Sequence, residues 1–100
     1  MITITAIIKA RSGSEATMRD ALLAVAAHVA ANEPETIGFF ISQSEDDPCV
    51  FTTYERFADK AAMDRHNGSA AVATFFGIAE PILNGDVMLV TSTEVSATLR

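Results

Sequence analysis

The ionisable candidates for chemistry, Glu55, Arg56, Asp64, Arg65 and His66, lie in one short stretch, Phe51 to Ser69, which reads FTTYERFADKAAMDRHNGS. His66 is the candidate general base, because an imidazole titrates near neutrality. The plainer reading is a histidine at a helix C-terminus, whose charged form suits the helix dipole. Glu55 either orients His66 or pairs with Arg56 or Arg65. Alternation places it on the same strand face as Phe51 and Phe57, so on a covered face it must be paired or protonated. The Tyr54 hydroxyl can donate to an oxyanion, or it belongs to a core aromatic with a satisfied hydroxyl. Phe40, Phe51, Phe75 and Phe76, with Phe39, either floor an aromatic pocket or are plain core. Arg56 and Ser69 complete the candidate contacts, and Ser69 reads first as a helix N-cap. Cys49 has no histidine or basic neighbour to activate it. Histidine and cysteine spacing supports no metal site.

The elements that must hold these groups follow from periodicity. Ile2 to Ala10 alternates as a strand, with Ile2, Ile4, Ala6 and Ile8 on one face. Arg11 to Ser14 is a turn in which Gly13 gives backbone freedom and Ser12 and Glu15 have capping-box spacing. From Ser14 to Asn32, Met18, Leu22, Val25 and Val29 form one helical stripe. Leu23 lies off it, and His28 lies at its edge as a boundary histidine. Pro34 stops the helix and pushes Glu33 out of helical backbone. Ile37 to Ser44 is a second strand, with Ile37, Phe39 and Ile41 sharing a face. Glu45 to Pro48 is a solvated hairpin tip without the ligand pattern of a calcium loop. Cys49 to Phe57 is the third strand. Helices follow over Asp59 to Asn67, capped by Asp59, and over Ser69 to Ala79. Pro81 breaks the last of them, and Asp86 to Val95 is the fourth strand. Ser96 to Arg100 is loose or reaches toward a partner.

The order β-α-β-β-α(α)-β predicts an α+β, ferredoxin-like domain over 1–100: a four-stranded antiparallel sheet with helices on one face. The other face is too apolar for water, so a second sheet should pack on it. Composition agrees. Hydrophobic residues make up 49% of 100 residues, high for a chain with so much surface per volume, and this points to a homo-oligomer. The net charge of −6 leaves no basic stripe for nucleic acid and no attraction to an anionic membrane. The N-terminus lacks the order of a signal peptide and no apolar run is long enough to span a bilayer, so the expected location is the cytoplasm. A lone cysteine allows no internal disulfide.

With that order in place, the chain resembles the antibiotic biosynthesis monooxygenase family, whose members include quinol monooxygenases. The resemblance rests on Glu33-Pro34 before strand two, Asp46-Asp47-Pro48 at the hairpin, and Tyr54-Glu55-Arg56-Phe57 followed by Asp59, His66 and Ser69. It implies a dimeric α/β barrel with a pocket between sheet and helices. It also implies oxidation of a small aromatic phenol, quinol or anthrone by molecular oxygen, without metal, flavin or haem. In that frame His66 is the base, Glu55 its orienter and Tyr54 a substrate contact. Ala71 stands where members often carry a second histidine, and Phe57 where tryptophan is common. With no tryptophan and no asparagine in the first strand, haem degradation is not expected. Two alternatives share the scaffold: an isomerase of a small hydroxy-ketone, and a ligand-binding dimer without turnover.

Overall fold

A computed structural model describes residues 1–100. The elements are β1 (Ile2–Lys9), α1 (Glu15–Asn32), β2 (Thr36–Gln43), β3 (Val50–Phe57), α2 (Lys60–Asn67), α3 (Ala70–Ala79), a 3₁₀ turn (Glu80–Ile82) and β4 (Met88–Thr93). All pairings are antiparallel, and the strand order is β2-β3-β1-β4. This is the α+β, ferredoxin-like arrangement that the periodicity predicts.

One face of the sheet is covered. Ile4, Ala6 and Ile8 of β1 and Phe51 and Phe57 of β3 are buried there, beneath the stripe Met18, Leu22, Val25 and Val29 of α1 and Phe75 and Ala79 of α3. Removing this much apolar surface from water is the main force holding the helices down. The hairpin tip caps itself. Ser44 Oγ accepts from the Asp46 and Asp47 amides, and Asp47 Oδ1 accepts from the Cys49 amide at 3.0 Å. The last turn and the tail lock onto the β1 end through Arg11 N to Ile82 O and Asn84 N to Lys9 O, both 2.8 Å.

Three local expectations change. Gly13 does take the left-handed backbone, φ +91°, that the turn into α1 requires. The helix then starts after Ser14, whose side chain makes no cap bond. The Ser12–Glu15 capping box does not form, because the cap position is Ser14 and Glu15 is already the first helical residue; its Oε2 accepts from the Cys49 thiol at 3.6 Å. In β2 a register shift between Thr36 and Gly38 throws Ile37 outward, where it is 48% exposed, and Thr36 is buried instead. The bulge breaks the alternation before it resumes at Phe39 and Ile41. Finally, β4 is shorter than the alternation suggested, and it is exposed along its whole length.

Candidate active site

Asp59 sits in extended backbone and its carboxylate accepts from the Ala62 amide at 2.8 Å, which starts α2. The helix buries one narrow face, Ala62 and His66, four residues apart. His66 thereby enters the sheet near the helix C-terminus, where the dipole favours its charged form. The ring lies between Phe39 and Phe57, with centroids 5.5 Å and 5.3 Å away. Each ring nitrogen faces a carboxylate. Nε2 is 3.2 Å from Glu55 Oε1, and Nδ1 is 2.8 Å from Glu33 Oε1. Glu55 is buried, as the alternation of β3 requires, and Thr53 Oγ1 donates to its second oxygen at 2.8 Å.

Burial alone pushes the imidazolium toward losing its proton. The hydrogen bonds to Glu55 and Glu33, and then their charges, outweigh burial and raise the pKa of His66 above its ordinary value. A raised value means that the charged ring stabilises the fold fully below the ordinary histidine range, about 6.5. That contribution fades as pH rises through the higher folded value. The expected outcome is that the stability gap between the wild type and His66→Gln is largest near pH 6 and closes toward pH 9, measured by urea unfolding. A gap that widens with pH contradicts the charged ring.

Glu55 and His66 open onto a hollow of about 80 Å³ between sheet and helices. Its walls are Ile4, Ala6 and Ile8 of β1, Leu22 and Val25 of α1, Phe39 of β2, Val72, Phe75 and Phe76 of α3, and Val87 and Leu89 beside and within β4. The polar lining is confined to Thr53, Glu55, His66 and Asn67. An ionisable pair at the end of an apolar slot is the usual signature of a small-molecule site.

The structure divides the other candidates. Phe75 and Phe76 line this hollow with His66 and Glu55. Phe51 is fully buried in the core beneath it. Ser69 caps α3, accepting from the Val72 amide at 3.2 Å. Tyr54, Arg56 and Phe40 lie on the opposite face of the sheet, where they share a shallow groove with residues 96–99 of the tail. There Arg56 forms a double hydrogen bond to Glu94, at 2.9 and 3.1 Å, and the Tyr54 hydroxyl donates to the same carboxylate at 3.4 Å. The Cys49 thiol is pushed up by burial and by Glu15, the opposite of an activated nucleophile. Glu33 is the site member to which the sequence assigned no role, although Glu33-Pro34 stands among the family signs. Its one signal is an acid just before Pro34, at a helix end where the dipole disfavours negative charge.

The family profile described as antibiotic biosynthesis monooxygenase matches residues 1–77, which carry the whole Glu33–Glu55–His66 line. The chain belongs to that family. No curated protein matches it closely enough to serve as a relative. Among solved structures it is similar to a Caulobacter crescentus protein, described provisionally as an antibiotic biosynthesis monooxygenase. The two are 23% identical with a TM-score of 0.88, over 95% of this chain and 90% of that one. A Nitrosomonas europaea protein with the same provisional description is 18% identical, TM-score 0.88, over 96% and 100%. A Mycobacterium tuberculosis protein is 17% identical, TM-score 0.88, over 98% of each chain. At these identities the likeness establishes the fold.

Proposed function

We propose that the chain is a cofactor-independent monooxygenase that oxidises a small phenol or quinol with molecular oxygen. The observation that carries this reading is the line Glu55–His66–Glu33 at the end of an otherwise apolar hollow. Both His66 nitrogens face carboxylates, so the substrate proton falls to Glu55, whose oxygens keep unused lone pairs beside Thr53 and His66, and His66 is its charged partner. That order exchanges the roles suggested by residue type alone. Phe75 and Phe76 flank the ring, and Thr53 fixes the carboxylate. The hollow also selects by size. A cavity of about 150 Å³ takes a benzene ring, so a hollow of about 80 Å³ has room for one ring at most and not for the three of an anthrone.

The chemistry balances without a further reductant. Glu55 removes a hydroxyl proton, and the electron-rich ring carbon of the resulting phenolate attacks oxygen to give a hydroperoxide. Loss of water then leaves a new carbonyl. A hydroquinone thus becomes a hydroxyquinone, giving four electrons to oxygen; one oxygen atom is kept and the other leaves as water. Glu55 returns its proton to the departing oxygen. Apolar walls exclude bulk water from the reacting centre.

The test is oxygen uptake by the purified protein with a panel of hydroquinones and anthrones. The expected result is uptake with one-ring quinols, one oxygen per substrate, lost in His66→Ala. Isomerisation of hydroxy-ketones without oxygen uptake would move the site to the isomerase reading. Saturable binding with no turnover of any of these compounds would leave a binding protein.

A further inference from the structure

The ionisable line does not stop behind the hollow. Glu33, the C-cap residue of α1, stands behind His66, and His28 stands behind Glu33 with its Nε2 3.1 Å from Glu33 Oε2. Side-chain exposure rises along the line, from 4% at His66 through 12% at Glu33 to 31% at His28.

A glutamate that merely ended the helix would not be built this way. It faces the negative end of the α1 dipole. Its Oε1 is doubly engaged, by the Thr36 hydroxyl at 2.8 Å and by His66 at 2.8 Å. Its Oε2 is buried and makes no hydrogen bond, with His28 Nε2 3.1 Å away. The Asn32 amide lies 3.2 Å from His28 Nδ1, so in the neutral ring the proton belongs on Nε2, toward Glu33. The other charges beside this corner, on α2 and β3, are engaged elsewhere. Arg65 pairs with Glu35, Lys60 with Asp64, and Arg56 with Glu94 across the sheet.

We propose that Glu33 and His28 are a positioning pair for the proton-taking site: Glu33 holds the Nδ1–H of His66 so that Nε2–H stays on Glu55, and His28 moderates the charge that Glu33 presents. Neither residue touches the hollow. The catalytic consequence rests on the oxygenase reading above, whereas the hold on the His66 ring does not. The pair makes opposite predictions for its two members. Removing Glu33 deletes a negative partner of the imidazolium and should let it deprotonate more easily. Removing His28 takes away the ring dipole that faces Glu33 Oε2 and should make His66 harder to deprotonate.

The experiment is a nitrogen-15 NMR titration of the histidine rings in the wild type, Glu33→Gln and His28→Ala, with oxygen uptake on a one-ring hydroquinone measured in parallel. In the wild type at neutral pH, Nδ1 of His66 should carry a proton. The His66 midpoint should fall in Glu33→Gln and rise in His28→Ala. The kcat of Glu33→Gln should drop about 100-fold, as for a misplaced reacting group, with KM little changed. A His66 midpoint unmoved by Glu33→Gln overturns the proposal. If that variant does not fold, a wild-type spectrum with no proton on His66 Nδ1, or a lower midpoint in His28→Ala, overturns it equally. Shifted midpoints in a protein that consumes no oxygen would sustain the positioning pair and remove the oxygenase reading instead.

Discussion

Glu55→Gln is expected to lower the kcat for oxygen uptake by about 100- to 10,000-fold, the range for losing a positioned general base. The substitution keeps the shape of the side chain. The glutamine carbonyl can still accept from His66 Nε2, and the Thr53 hydroxyl can turn from donor to acceptor, so neither buried partner is orphaned. What disappears is the capacity to take a proton. KM should change little, because the ring is held by apolar walls that the substitution leaves alone. The deficit should also shrink with rising pH. A phenol titrates near pH 10, as the tyrosine side chain does, and a substrate that ionises in solution no longer needs the carboxylate. A pH profile of the variant therefore separates a missing base from a damaged pocket, which would stay slow at every pH. Wild-type kcat in Glu55→Gln would remove the carboxylate from the chemistry and return the role of base to His66.

The reason this site could be half-read from the chain lies in how far apart its parts are. Glu55 and His66 belong to one strand–turn–helix unit, and local rules place both. Alternation along β3 sends Glu55 to the face of Phe51 and Phe57, and the Asp59 cap fixes the start of α2 and hence the inward face of His66. The α1 stripe was legible for the same reason, since all four of its expected residues are buried. Glu33 is different. It meets His66 only because α2 and the end of α1 pack over the same corner of the sheet, and no local period records that contact. The bulge at Ile37 was hidden too, because a one-residue insertion leaves composition untouched while it reverses facing. Tyr54 and Arg56 show the opposite hazard. They are adjacent to Glu55 in sequence, and this adjacency itself places them on the other side of the sheet.

That other side carries the second large expectation: Thr5→Glu should convert a dimer into a monomer. The exposed face of the sheet presents Phe40, Tyr54, Met88 and Val90, which are 57%, 39%, 62% and 53% exposed. Phe40 and Tyr54 stack on each other with centroids 6.2 Å apart. Contiguous apolar surface of this kind marks an interaction site on a soluble protein, and members of this family are generally small dimeric proteins. Two such sheets packed face to face would also cover β4, which no element of its own chain covers. Thr5 stands in the middle of this face, paired with Tyr54 on one side and Val90 on the other. It is exposed in the single chain, so a glutamate there costs the protomer little. Buried against a second copy, each unpaired carboxylate would cost several kcal/mol. Even about 4 kcal/mol weakens the dissociation constant about 1,000-fold, enough to carry a micromolar dimer out of reach. Sedimentation velocity at tens of micromolar should show a dimer for the wild type and a monomer for Thr5→Glu, with matching far-UV circular dichroism. The hollow lies on the helix-covered face, so a folded monomer that keeps its oxygen uptake would show that each protomer works alone. A wild type that sediments as a monomer would mean that something other than a second copy covers this face.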